Sequence, residues 1–130
     1  VCGGSRPQQL DRGYFFEPTL FRNVDNGMRI AREEIFGPVV SLISYRDEAE
    51  AIAIANDSPY GLYASVYTDD EDAVLRIAPR LRAGNVSRAG LYIDRTLPYG
   101  GLNQSGVGRE GGIEGLRAFQ ETQTLYLPAS

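Results

Sequence analysis

The sequence predicts an α/β fold in which a parallel sheet is flanked by helices. Between residues 39 and 88, β-prone runs alternate with helix-length runs in the order strand, helix, strand, helix, strand, and each connection is far longer than a hairpin turn. Connections of that length imply parallel neighbours joined by crossover helices. Size bounds the rest. At 130 residues, with 42% hydrophobic and 23% charged residues, the chain is long enough for one globular core and too short for two comfortable ones.

Taken in order, Tyr14 to Phe21 is aromatic and β-prone, and its Pro18, which lacks an N–H, places it at a sheet edge or a bulge. Asn26-Gly27 marks a turn, and Met28 to Arg32 is long enough for one helical turn. Two acids, Glu33 and Glu34, then precede the apolar pair Ile35-Phe36, a Gly37-Pro38 break and a strand over 39–45. Asp47 with Glu50 three residues on has the spacing of a capping box, so a helix is expected over 48–56, with Ala49, Ile52, Ala53 and Ile54 on its apolar face. Ser58-Pro59-Tyr60-Gly61 stops it. A strand over 62–68 leads through Asp69-Asp70 to a helix over 71–82, where Pro79 should cause a kink or an early end. The third strand, 85–88, is short and unusually polar. Nine loop-like residues follow, then a stretch from Pro98 to Gly115 holding seven glycines, a short helix over 113–119 and a last strand over 122–127. No later element covers that strand, and an uncovered edge is a template for pairing with another chain.

Composition excludes several functions. A net charge of -4 and a pI near 4.8 oppose a nucleic-acid surface, which needs clustered Lys and Arg. The single cysteine, Cys2, cannot form an internal disulfide, so a reducing compartment, by default the cytoplasm, is expected. The sequence has no basic start followed by an apolar run and no stretch approaching 18 apolar residues, so neither a signal peptide nor a membrane association is expected. Val1-Cys2-Gly3-Gly4 reads as the end of a strand without its beginning, and the absence of an initiating Met adds to the expectation of a fragment.

The stretch 33–39 is the strongest candidate site. Gly37 permits a sharp turn and Pro38 fixes its φ, so Glu34 and Phe36 should project from a stiff loop. A carboxylate accepts two hydrogen bonds and suits the adjacent hydroxyls of a ribose, while a ring two residues away can lie against a flat heterocycle. The plainer reading also stands: loop acids are usually solvated, and Phe36 fits a core as well.

Three other signals carry less. Gly106-Val107-Gly108-Arg109-Glu110-Gly111 matches the dinucleotide pattern G-x-G-x-x-G, but Pro98 to Ser105 is no strand and only 19 residues follow Gly111, so the glycines are read as letting a loop pass close to other backbone. Cys2 sits beside two glycines in a chain with no histidine, which suits a structural thiol rather than a nucleophile and leaves neither a Ser-His pair nor a metal site. Asn-x-Ser matches at Asn56, Asn85 and Asn103 carry no weight in a chain of cytosolic character.

Five motifs in register carry a family resemblance: Cys2-Gly3-Gly4; Gly13 to Phe21; Glu33 to Val39; Asn56 with Tyr60-Gly61-Leu62; and Pro98-Tyr99-Gly100-Gly101 with Ser105 to Glu110 and Gly112. Together they resemble the C-terminal part of an NAD(P)-dependent aldehyde dehydrogenase along essentially the whole chain. The resemblance implies the second half of the catalytic domain over 1–112 and a C-terminal helix with an oligomerisation strand over 113–130. It implies that Glu34 holds the nicotinamide ribose, that Phe36 lies beside the nicotinamide and that Tyr99 stands near the aldehyde pocket. It also implies a glycine loop closing over the active site and a last strand reaching toward a partner subunit in a homodimer or homotetramer.

In the family a cysteine thiolate attacks the aldehyde, a thiohemiacetal passes hydride to NAD or NADP, a glutamate activates the hydrolytic water, and an asparagine with backbone N–H groups stabilises the oxyanion. The resemblance places all of these before Val1, so no catalytic residue is expected in this chain, and Cys2 matches an ordinary strand-end position. Two departures stand out. Arg88-Ala89 replaces the usual apolar-Asn pair, and Asn103 replaces a common Lys. The alternatives to an active oxidoreductase are therefore a non-catalytic assembly or regulatory module on the same fold and a decayed remnant with no activity.

Overall fold

The structure, a computed structural model, describes residues 2–128. Its architecture is α/β, divided into two compact units, 1–58 and 59–130. The expected strand end at Val1 lies outside the described residues.

In the first unit, β1 (Thr19–Phe21) pairs in parallel with β2 (Val39–Ser41), Thr19 standing opposite Val39. Both are shorter than the sequence suggests. The aromatic run 14–17 stays outside the ladder, with Tyr14 fully exposed, and pairing begins only after Pro18. Cys2 joins the other side of β1 through a two-bond bridge to Leu20 (3.0 and 2.9 Å). The buried Thr19 secures that approach: its hydroxyl accepts from Gly4 N–H at 2.8 Å and donates to Glu17 C=O at 2.7 Å. Between the strands lies the single turn α1 (Arg29–Arg32).

Helix α2 (Glu48–Asn56) runs where the cap predicts, and Asp47 accepts from Glu50 N–H at 2.9 Å. The reciprocal half of the capping box differs. Glu50 Oε2 accepts from Arg46 N–H (2.6 Å) and from the Arg46 guanidinium (3.0 Å), because the basic side chain adds a charge-assisted bond that the cap N–H alone does not offer. That pairing lowers the Glu50 pKa. Ile52 is buried and Ile54 half-buried, but Ala49 and Ala53, expected on the same face, are exposed, so the covered face is narrower than the sequence suggests.

In the second unit, β4 (Tyr63–Val66) and β5 (Asn85–Arg88) form the expected parallel pair, joined through α3 (Glu71–Ile77). Asp70 caps α3 by accepting from Asp72 N–H at 3.0 Å. Pro79 acts as its missing donor demands: the α-helix gives way to a 3-10 turn, Ala78–Arg80.

Two expectations for the last third of the chain fail, the absence of a strand over 98–105 and the presence of one over 122–127. Pro98 to Ser105 does contain a strand, since β6 (Leu102–Asn103) pairs antiparallel with β3 (Tyr60–Gly61). Glycine is what permits this approach, as a Cβ on Gly61 would stand 2.5 Å from Arg82 O and 3.2 Å from the Leu102 side chain. The dinucleotide pattern remains a loop that leads into the short helix α4 (Gly112–Arg117). Residues 122–127 enter no ladder among the described residues and are exposed, because a strand needs a partner edge and this chain supplies none to them.

The core is thin. Among the described residues only Val24, Ile52 and Ala73 are buried apolar side chains, while Phe36, Val107, Phe119 and Tyr126 are largely exposed.

Candidate functional site

The two acids of the 33–39 stretch have different fates. Glu33 closes α1, its N–H bonding to Arg29 C=O at 2.8 Å, and its carboxylate receives both Arg29 Nε and Nη2 at 2.9 Å. The hydrogen bonds and charge of Arg29 hold the Glu33 carboxyl below its ordinary range. Glu34 is exposed and its carboxylate makes no hydrogen bond or ion pair among the described residues. Phe36, two residues on, exposes 94% of its surface and sits at φ +49°, a left-handed conformation unusual for a bulky residue. An exposed aromatic ring on strained backbone is a combination that packing alone does not explain.

The loop carrying them is stiff at both ends. On one side Arg32 grips Asp57 through two guanidinium nitrogens (3.0 and 2.7 Å), and Asn26 Nδ2 donates to Ile54 O, Asp57 O and Asp57 Oδ2, tying α1 to the end of α2. The Arg32 hydrogen bond accordingly lowers the Asp57 pKa. On the other side Val39 N–H closes a tight turn onto Gly37 O at 2.7 Å, and Pro38 O accepts from Thr19 N–H at 2.8 Å. Glu34 and Phe36 both line an open cleft of about 390 Å³, shared with Ile30, Val39 and Ile43. A free carboxylate beside an accessible ring fits a ribose and a flat heterocycle.

Tyr99 belongs to the second unit. Its backbone exchanges two hydrogen bonds with Glu110 (2.7 and 2.8 Å), which fastens the glycine loop back on itself, and Arg109 reinforces it by donating to Gly101 O at 2.9 Å. The Tyr99 ring lies 6.4 Å from that of Tyr63, tilted by 39°. Both border a cavity of about 360 Å³ with Val86, Tyr92, Ile93 and Leu97, a size suited to a small organic ligand. Tyr63 escapes a reading of the sequence. Its signal is the alternation Tyr63, Ser65 opposite Asn85, Ser87, which puts four polar side chains on one face of the β4–β5 ladder.

Residues 1–125 match the family described as "Aldehyde dehydrogenase family". The chain belongs to the aldehyde dehydrogenase family. Geranial dehydrogenase of Castellaniella defragrans is 50% identical over 127 residues, which are 98% of this chain and 26% of that protein. The Mycobacterium tuberculosis aldehyde dehydrogenase solved with NAD+ superposes with a TM-score of 0.94 at 48% identity, covering 98% of this chain and 26% of that one. Aldehyde dehydrogenase C of Pseudomonas syringae, a mutant solved with NAD+ and octanal, gives 0.91 at 45% identity, with 99% and 27% covered. The chain thus spans 26% of the length of the geranial dehydrogenase it matches.

Cys2 is exposed and unpaired, and no cluster of three metal-ligating side chains occurs among the described residues. No helix among them is long and apolar enough to cross a membrane.

The family departures have local structural accounts. Arg88 donates to Thr68 O (3.0 Å) and Glu71 (2.8 Å), tying the end of β5 to the start of α3. Asn103 sits at φ +54°, a conformation that asparagine adopts more readily than lysine. Ala89, at φ +52°, has no such advantage and carries the strain.

Proposed function

We propose that this chain is the C-terminal part of the catalytic region of an NAD(P)-dependent aldehyde dehydrogenase, which in its complete form oxidises an aldehyde to a carboxylic acid. The observation that carries this reading is the pairing of an unpartnered Glu34 carboxylate with an exposed Phe36 ring on a loop braced at both ends. When bound, NAD or NADP supplies the hydride acceptor. Glu34 accepts hydrogen bonds from the nicotinamide ribose, Phe36 bears on the nicotinamide face, and Tyr99 borders the aldehyde. Residues 1–112 contribute to the catalytic domain, while 113–130 form a helix and a segment that pairs with a partner subunit in a cytoplasmic homodimer or homotetramer. The nucleophilic cysteine and the general base come from outside this chain.

The departures at Arg88 and Asn103 are accommodated by the backbone and by local hydrogen bonds, so neither favours a non-catalytic module. The test is NAD(P)H formation by the longer protein carrying this chain, across an aldehyde panel with each cofactor. Aldehyde-dependent reduction that needs more cofactor after Phe36→Ala is the expected result. A folded protein that reduces neither cofactor with any aldehyde overturns the proposal.

A further inference from the structure

Four side chains on one face of the β4–β5 ladder hold the main chain of the segment from Gly90 to Gly100. Tyr63 Oη accepts from Tyr92 N–H at 2.8 Å and donates to Tyr92 C=O at 3.0 Å. Two residues along the same strand, Ser65 Oγ repeats the pattern on Gly90, accepting from its N–H at 3.0 Å and lying 2.7 Å from its C=O. Ser87, opposite Ser65 in the register, lies 2.8 Å from Ser65 Oγ and also bonds to Gly90 C=O. Asn85, opposite Tyr63, donates to Gly100 O at 3.0 Å. Hydroxyls thus satisfy both polar groups of alternate loop residues, as a neighbouring strand would. The bonds of Tyr63 and Ser65 are exposed and weak alone, those of Ser87 to Gly90 and of Asn85 to Gly100 are part-buried, and together they fix the segment at Gly90, Tyr92 and Gly100.

The segment so held forms one wall of the cavity that Tyr99 borders, through Tyr92, Ile93 and Asp94. Asp94 is itself set by a local turn, its carboxylate accepting from the Thr96 hydroxyl (2.6 Å) and N–H (2.8 Å), bonds that lower its pKa. The Tyr63 ring also lies beside Tyr99, so one residue touches both walls.

We infer that Tyr63, with Ser65 behind it, is a positioning residue that sets the aldehyde size this cavity accepts. The inference rests on the proposed reading of the Tyr99 cavity as the aldehyde pocket. Removing the Tyr63 hydroxyl frees both main-chain groups of Tyr92 while keeping the ring. Long aldehydes, which span more of the wall made by Tyr92 and Asp94, lose more of their positioning than short ones do.

The experiment compares Tyr63→Phe, Ser65→Ala and Tyr99→Ala in the complete enzyme, with propanal and octanal as probes and amide exchange followed at 90–93. For Tyr63→Phe the expected result is a KM for octanal raised about five- to tenfold, the scale of one or two lost hydrogen bonds. The KM for propanal rises by a smaller factor than that for octanal, and exchange at Tyr92 becomes faster. Ser65→Ala moves exchange at Gly90 in the same direction and serves where Tyr63→Phe does not fold. Unchanged exchange, or an equal KM change for both aldehydes, overturns the positioning role while leaving the pocket reading intact if Tyr99→Ala still raises the aldehyde KM. If Tyr99→Ala changes neither aldehyde's KM, the pocket reading fails and the inference falls with it.

Discussion

Glu33 and Glu34 are adjacent carboxylates of the same chemistry, and their different surroundings make Glu34→Gln a sharp perturbation. Glu34 has no partner among the described residues and is exposed, so its amide isostere should leave folding stability within about 0.5 kcal/mol. Its proposed partner is the ribose of the cofactor, and turning one carboxylate oxygen into an NH₂ donor replaces a charge-assisted bond with a mismatch. Bonds of that kind are worth about 1.5–3 kcal/mol, which corresponds to about a ten- to hundredfold weakening of cofactor binding or turnover. Glu33→Gln is the internal control. Glu33 also lines the cleft, but Arg29 already holds its carboxylate at i,i+4 spacing, so its variant should change cofactor kinetics much less than Glu34→Gln. The assay is steady-state NAD(P)H formation by the complete enzyme with cofactor as the varied substrate, beside thermal melts of both variants. Unchanged cofactor KM and turnover in Glu34→Gln would refute the reasoning, as would an equal effect from Glu33→Gln.

Three further outcomes are expected. The isolated 130-residue chain should oxidise no aldehyde, since Cys2 is its only thiol and lies in a strand-edge bridge; turnover that disappears in Cys2→Ser would show the thiol to be a nucleophile. The same chain should self-associate, because it buries few apolar side chains and leaves 122–127 unpaired and exposed; light scattering over a concentration series checks this, a variant ending at Glu121 isolates the tail, and a concentration-independent monomer would count against it. Ala89→Asn should raise the urea midpoint at unchanged slope, by about 0.5–1 kcal/mol of stability, because asparagine tolerates φ +52° better than alanine; an unchanged or lower midpoint would show that the loop strain is relieved elsewhere.

The amino-acid order alone determined what depends on near neighbours. Asp47 caps α2, Pro79 ends α3 early, β2 begins directly after the Gly37-Pro38 break, and the span 85–88 is a strand, because each outcome rests on local backbone chemistry or on periodicity within one element. The loop that presents Glu34 and Phe36 was legible for the same reason: glycine, proline and flanking charges act over a few residues.

Tertiary structure decided what depends on residues far apart in sequence. Which of Glu33 and Glu34 is free was settled by the helical turn that brings Arg29 to one of them. Strand lengths were settled by the partner's length, so that 39–45 yields only a three-residue β2 opposite a three-residue β1. β6 exists because Gly61 lets Leu102 approach, a pairing across some forty residues that no local pattern marks. The polarity of β5 was visible as an oddity, and its reason was not. Asn85 and Ser87 are polar because the register with β4 places them beside Tyr63 and Ser65, where the main chain of the 90–100 segment needs hydrogen-bond partners.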